Sequence, residues 1–161
     1  MTTTTDVPRI MLAIERDDAG EWIARLDCGH RRHLRHRPPL SSMPWLLDEA
    51  ERNARIGQSI ECGRCAQCEP PDGLEIYKTQ HFDQQTLPAG LRGEHRLRPG
   101  VWGRLELQQG RLAFVADAIG CTRDLVAPAV LWIPPGVTHR VVTSGAMTMQ
   151  LDFARLPPTA G

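Results

Sequence analysis

Two short motifs supply residues of the types that bind transition metals. A Cys-Gly-His motif at 28–30 brings one thiol and one imidazole together, and a Cys-Gly-Arg-Cys motif at 62–65 brings two thiols. Structural zinc sites take four such ligands in a tetrahedron, and close pairs commonly supply them. The two motifs therefore predict a structural Zn²⁺ site. Its predicted ligands are Cys28, His30, Cys62 and Cys65.

Two neighbouring residues leave the choice of ligands open. His33 could take the place of His30, and Cys68 could take the place of Cys65. A C-x-x-C pair on its own also occurs in redox proteins, so the additional Cys-Gly-His motif is what favours metal binding. In the cytosol, where thiols stay reduced, clustered cysteines are better interpreted as metal ligands than as disulfides.

A second candidate metal site lies in the C-terminal half. Residues 134–139, Pro-Pro-Gly-Val-Thr-His, resemble the P-x-G-x-x-H motif that supplies a metal ligand in cupins, a family of small β-barrels. The other cupin motif is incomplete, because His95 and Gly110 fit its ends while Gly103 occupies the glutamate position. His95 and His139 thus remain candidates for a second divalent metal, although two histidines alone bind weakly. The carboxylates that could assist them are Glu94, Glu106 and Asp152.

Three more residues are candidates for binding a ligand in this half. Arg104 and Arg140 carry positive charge within apolar runs and could attract a small anion, and Trp102 could line the same cavity. Because side chains alternate between the two faces of a strand, both arginines could equally face solvent, with Trp102 in the core. We expect a small molecule or an anion as the ligand.

A basic segment at 30–37, His-Arg-Arg-His-Leu-Arg-His-Arg, contains four arginines and no acid. Such a segment can contact phosphate, RNA or a protein partner. It has no interleaved aromatic residues on which bases could stack, so we do not expect a nucleic-acid partner. The simpler interpretation is a solvated basic edge beside the metal site.

The elements that must position the first two motifs form a small α+β unit over 1–69. Residues 9–27 alternate in polarity on either side of an Asp-Asp-Ala-Gly turn, which predicts a β-hairpin that runs directly into Cys28. Residues 45–56 have a helical apolar spacing, with acids early and arginines late. The turn formers at 70–73 predict a linker between two domains.

Residues 74–157 change to short apolar runs separated by Gly, Pro, Asp or Ser, a spacing typical of an all-β sandwich or barrel. The runs are Leu74–Tyr77, Val101–Leu107, Leu112–Val115, Ala129–Ile133, Arg140–Val142 and Met147–Phe153. The predicted fold is mainly β with one α-helix: a small zinc-stapled α+β domain followed by a cupin-like double-stranded β-barrel.

The N-terminal half resembles a family of short bacterial proteins that has no assigned activity. The resemblance rests on the segments LDCGH, RHRPP, PWLL and ARIGQ and on the closing C-x-x-C, and it runs from Trp22 to Cys65. It implies zinc-type ligands at the same positions and indicates no reaction.

The C-terminal half resembles the cupin domain found in proteins of the tellurite-resistance protein B type. The matching segments include YKT at 77–79, LPAGL at 87–91, PGVWGRL at 99–105, HRV at 139–141 and LDF at 151–153. The resemblance implies a compact β-barrel and a role related to tellurite resistance. Because no Gly-rich nucleotide loop occurs in the sequence, we do not expect this chain to methylate tellurite by itself.

Composition narrows the class of protein further. The 161 residues include 19 basic and 19 acidic side chains and are 41% hydrophobic, which fits a globular protein without a strong electrostatic preference for nucleic acid or membranes. No apolar stretch is long enough for a membrane span, and the N-terminus lacks the pattern of a secretory signal, so we expect a cytoplasmic protein.

The leading functional hypothesis is a metal-binding stress-response protein that captures a small anion or oxyanion in its barrel. One alternative is a metal-dependent cupin enzyme that acts through His95, His139 and a carboxylate. Another is an interaction module that binds RNA or protein through residues 30–37. The sequence leaves open whether the chain is an enzyme, and a homodimer through an edge strand is a further expectation.

Overall fold

A computed structural model describes residues 6–158. This part of the chain is mainly β, with two antiparallel sheets and three short helices. The strands are β1 (Val7–Arg16), β2 (Trp22–Leu26), β3 (Arg31–His33), β4 (Ser59–Cys62), β5 (Glu75–Asp83), β6 (Trp102–Ala116), β7 (Cys121–Val126), β8 (Ala129–Ile133) and β9 (Arg140–Arg155). The α-helices are α1 (Glu49–Arg55), α2 (Gly63–Ala66) and α3 (Ala89–Arg92).

The first sheet has the strand order β3-β2-β1-β4. The predicted hairpin is confirmed, since β1 and β2 pair antiparallel on either side of the turn. Strand β4 also runs antiparallel to β1, with Cys62 opposite Val7. Because β2 and β4 both run opposite to β1, their C-terminal ends emerge at the same edge of the sheet. This topology brings the Cys-Gly-His turn after β2 close to the Cys-x-x-Cys turn after β4.

The predicted helix over 45–56 is shorter in the structure. A single 3-10 turn occupies Pro44–Leu47, and α1 begins only at Glu49. Asp48 lies between them in an extended conformation, and its side chain accepts a hydrogen bond from the backbone N–H of Glu51. This is an N-cap, which starts a new helix and so ends the preceding turn. Two single-turn helices, α2 and α3, add to the one helix that was predicted.

The second sheet has the order β5-β9-β6-β7, and β8 pairs with β6. The predicted runs Val101–Leu107 and Leu112–Val115 are parts of one strand, β6, which has 15 residues. Likewise, the runs Arg140–Val142 and Met147–Phe153 are parts of β9, which has 16 residues. The pairing register shifts twice between these strands, next to Gly110. Such shifts let a long strand bend, and here they curl the sheet around its apolar face. β7 is a strand that the sequence pattern did not predict.

One continuous core of buried apolar residues includes members of both sheets. The segment at 70–73 that was predicted as a linker connects them, and Pro71 within it is buried against the Cys-Gly-His turn. A Cβ atom on Gly29 would lie 3.0 Å from Pro71 and from Leu156, so the turn is tightly enclosed. Among the described residues, no helix has both the length and the apolar character that crossing a membrane requires.

Candidate metal centre

The four predicted zinc ligands come together in the structure. Their ligand atoms all lie within 4.8 Å of one another. The Nδ1 atom of His30 is 3.3 Å from the sulfur of Cys28, 3.4 Å from that of Cys62 and 3.5 Å from that of Cys65. A single proton on Nδ1 cannot satisfy three sulfurs at once, whereas one cation at the centre of the group can.

The spacing also fits a tetrahedral ion. Bonds of about 2.3 Å to sulfur and about 2.05 Å to nitrogen place tetrahedral ligand atoms roughly 3.8 Å apart for two sulfurs and roughly 3.6 Å apart for sulfur and nitrogen. The sulfurs of Cys28 and Cys62 are 3.9 Å apart, and the three sulfur–nitrogen distances are 3.3–3.5 Å. The group can therefore hold a metal ion with little rearrangement.

All four residues are sealed from solvent. Their exposed fractions are 2% for Cys28, 2% for His30, 4% for Cys62 and 0% for Cys65. None of the three cysteines is in a disulfide. Burying three thiols and an imidazole in one small volume is unfavourable unless their polar atoms find partners.

The thiols in this group perturb one another. Hydrogen bonds with Cys28 and Cys65 lower the pKa of Cys62, whereas hydrogen bonds with Cys28 and Cys62, together with burial, raise the pKa of Cys65. Burial lowers the pKa of His30, but hydrogen bonds with Cys28 and Cys62 outweigh it and raise the pKa to about 9. The cluster thus accumulates negative charge on sulfur and attracts a positive charge, either a proton on His30 or a metal ion.

Arg9 supplies a buried positive charge beside this group, and the sequence patterns did not single it out. Its side chain belongs to β1, is 7% exposed, and favours the thiolate form of Cys65 electrostatically. Its Nη2 atom donates a 2.7 Å hydrogen bond to the backbone carbonyl of Pro135. A Zn²⁺ ion with three thiolates and one neutral imidazole carries a net charge of −1, which a nearby arginine would balance. Successive side chains of β1 alternate between its two faces, and Arg9 lies on the same buried face as Val7 and Met11. This alternation is the only sequence feature that indicates its burial.

Trp102 forms a second link between the two sheets. Its indole Nε1 donates a 2.8 Å hydrogen bond to the backbone carbonyl of Cys28. Its ring lies edge-on to the imidazole of His30, with centroids 5.5 Å apart. The side chain of Trp102 is completely buried, so it packs behind the metal centre and does not line an open cavity.

The alternative ligands are placed elsewhere. His33 points to Asp17, with 3.4 Å between Nε2 and the carboxylate. Cys68 is outside the four-residue group and interacts with Cys121 on β7, where burial raises the pKa of Cys68 to about 12. Of the two sets that the sequence left open, the structure therefore assembles the one with His30 and Cys65.

The two cupin-motif histidines are also adjacent. His95 and His139 form a β-bridge, with backbone hydrogen bonds of 2.9 and 2.8 Å and ring centroids 4.2 Å apart. Each ring places Nδ1 against a backbone carbonyl, that of Gly93 for His95 and that of Val137 for His139. Within residues 6–158 no group of three or more metal-ligand side chains includes them, so a second metal ion is not supported.

Acids neutralise both arginines that were predicted to bind an anion. Arg104 lies 2.9 Å from Glu106 and 3.3 Å from the buried Asp152. Arg140 lies 2.9 Å from Asp117 and 3.6 Å from Glu94. Three of these four acids were the carboxylates considered for the second metal site. Each arginine thus has two acidic partners, which leaves little net positive charge at either position for an anion.

Two family models match this chain, one in each half. Residues 12–69 match the family described as a protein of unknown function (DUF3565), and residues 77–151 match the TehB-like domain. None of the curated proteins matches the chain.

Two solved structures are similar to part of this chain. TehB from Haemophilus influenzae is 22% identical with a TM-score of 0.48, over 53% of this chain and 32% of that one, so the chain spans about a third of the length of TehB. A protein from E. coli (strain K12) is 21% identical with a TM-score of 0.53, over 58% of this chain and 92% of that one, which indicates a shared fold. The segment similar to DUF3565 contains the four residues that could hold a metal ion, and the segment similar to the TehB-like domain follows it.

Proposed function

We propose that this chain is a zinc-stabilised binding protein of the cytoplasm, related to tellurite resistance, that takes up a small oxyanion in its TehB-like half. The observation that supports the first part is the buried group of three thiols and one imidazole, whose ligand atoms lie within 4.8 Å of one another. The second part draws on the match to the TehB-like domain over residues 77–151.

A structural role for the metal follows from the completeness of the ligand set. Catalytic zinc keeps one coordination position open for water or substrate, whereas structural zinc has four protein ligands. Here four side chains surround one point and exclude solvent. Sulfur-rich tetrahedral sites favour Zn²⁺ among the common divalent ions. The ion would link the turns after β2 and β4, and its binding free energy would add to the folding stability of a small sheet with few core residues.

Oxyanion binding, not catalysis, is the function that we favour for the TehB-like half. Two adjacent histidines without a third ligand are a weak basis for a metal-dependent enzyme. The basic segment at 30–37 is likewise a weak basis for an RNA interface, since Arg35 and Arg37 lie within 4 Å of Glu21.

Metal analysis tests the zinc centre. The purified chain is expected to contain one equivalent of zinc by inductively coupled plasma mass spectrometry, and Cys65→Ser to contain almost none. Cys68→Ser is the matched control, because Cys68 is also buried but lies outside the group. Loss of zinc in both variants, or in neither, would contradict the assignment.

Calorimetric titration tests the oxyanion. The zinc-loaded chain is titrated with sodium tellurite, with sodium phosphate, and with sodium chloride at matched ionic strength. Saturable binding of tellurite or phosphate above the chloride background is expected. If neither oxyanion gives saturable heat, the proposal of an oxyanion-binding protein is wrong.

A further inference from the structure

We propose that the oxyanion binds in a cleft formed by Lys78, Arg96 and Arg98, at one end of the second sheet. This inference rests on the proposed function and adds the site and its specificity. The cleft has a volume of about 380 Å³. Its lining residues are Tyr77, Lys78, Arg96, Leu97, Arg98, Val101 and Phe153.

The lining carries three positive charges and no carboxylate. Within residues 6–158, none of the three cations forms an ion pair, in contrast to Arg104 and Arg140, which each lie against two acids. Like charges repel when they are brought together without counter-ions. All three side chains are exposed to solvent, so a dissolved anion can reach them and reduce this repulsion.

The fold brings the three cations together from two segments. Lys78 on β5 pairs with Phe153 on β9, and its ammonium lies 5.7 Å from the centre of the Phe153 ring. The two arginines flank Leu97 in the segment before β6. Leu97 packs within 3.1 Å of the Cβ position of Gly103, so the segment lies directly against the sheet.

A second contact fixes this segment. The carbonyl of Leu97 accepts a 3.0 Å hydrogen bond from the backbone N–H of Gly136, in the turn that precedes His139. Because Leu97 is held on both sides, the backbone of Arg96 and Arg98 is fixed on either side of it. A site whose backbone is already in place loses less entropy when a ligand binds.

The chemistry of the lining suits a small inorganic oxyanion. Guanidinium groups donate pairs of hydrogen bonds to the oxygens of one anion, and an ammonium adds a compact charge. The apolar side chains of Leu97, Val101 and Phe153 form the remaining wall. The volume holds one hydrated oxyanion, so we expect dianions to bind more tightly than chloride.

Calorimetry with matched variants tests the site. Arg96→Gln and Arg98→Gln are each expected to weaken binding of tellurite, or of phosphate, about tenfold, and the double variant more strongly. Lys78→Met is expected to weaken it by a smaller factor. Arg111→Gln is the control, because Arg111 is exposed on β6 outside the cleft. Circular dichroism and zinc content check that each variant is folded.

The outcomes separate this inference from the proposed function. If the wild-type chain binds an oxyanion and the cleft variants bind it equally well, the site is wrong while the function stands. If Arg111→Gln weakens binding as much as the cleft variants do, the effect is one of overall charge and the site is again wrong. If the wild-type chain binds neither oxyanion, both proposals are wrong.

Discussion

The indole nitrogen of Trp102 donates a 2.8 Å hydrogen bond to the backbone carbonyl of Cys28, across 74 positions of sequence. Trp102 opens β6, the strand that pairs with β7, β8 and β9, and Cys28 begins the turn that carries two of the metal-binding side chains. The core of the second sheet therefore supports the metal centre of the first. A substitution at Trp102 is therefore expected to affect both the stability of the second sheet and the group around Cys28.

Replacing Trp102 with Phe tests this link. The variant keeps an aromatic ring in the core but leaves the buried carbonyl of Cys28 without its donor, which costs about 1–3 kcal/mol. Urea unfolding is expected to show this loss, and a chelator is expected to remove zinc faster than from the wild-type chain. Trp132→Phe is the control, since Trp132 is half-buried on β8. Equal zinc release from both variants would argue against the link.

Arg9 is expected to control zinc affinity through its charge. Arg9→Met keeps most of the side-chain volume but removes the buried cation near Cys65, so we expect about tenfold weaker zinc binding in competition with a chromophoric chelator. Arg9→Lys keeps the charge and is expected to recover most of the affinity. Arg16→Met, at the exposed end of the same strand, should have no effect. If Arg9→Lys behaves like Arg9→Met, the hydrogen bond to Pro135 matters more than the charge.

The ligand set could be predicted from sequence because close pairs with glycine between them restrict geometry locally. The choice between His30 and His33 could not, because it depends on strand pairing: β3 pairs with β2 and turns His33 towards Asp17. The contributions of Arg9 and Trp102 were hidden for the same reason, since Arg9 acts on Cys65 and Trp102 on Cys28, both distant in sequence.

Most strands of the second sheet were predictable from apolar runs, but β7 and the continuity of β6 and β9 were not. A Gly or a polar stretch usually ends a strand, and the sequence predicted a break near Gly110. In the structure the strand continues through this position, because φ of +81° at Gly110 allows the chain to bend without leaving the sheet. The anion site that we propose differs from the one predicted from sequence, since only the structure reveals that Arg104 and Arg140 are paired with acids.

Gly110 is expected to tolerate no side chain. A Cβ atom there would lie 2.1 Å from the backbone carbonyl of Ala146, and the positive φ is itself unfavourable for alanine. Gly110→Ala is therefore expected to lose about 3 kcal/mol or more of unfolding free energy, or to fail to fold. Gly145→Ala is the matched control, because nothing lies within 4 Å of its Cβ position. Its effect should stay within about 0.5 kcal/mol in the same urea titration. Similar losses in both variants would contradict the close approach.

His139 is expected to make the fold less stable in mild acid. Its pKa is lowered from 6.5 to about 4, chiefly by burial and also by the nearby His95, while the hydrogen bond to the carbonyl of Val137 opposes both effects. Above pH 6.5 the residue is neutral in the folded and unfolded chain and has no effect on pH dependence. Between pH 6.5 and 4 only the unfolded chain takes up the proton, so stability falls as the pH falls, by about 3 kcal/mol in total.

His139→Gln removes this titration. Over that pH range, the slope of the unfolding free energy with pH is expected to fall by the equivalent of about one bound proton. Zinc ligands also take up protons in acid, so the comparison is between variants at each pH, with zinc content measured throughout. His81→Gln, an exposed histidine on β5, is the control and should keep the wild-type slope. If His139→Gln retains the full slope as well, the acid sensitivity belongs to the metal centre, and the imidazole of His139 is protonated in the folded chain as readily as in the unfolded one.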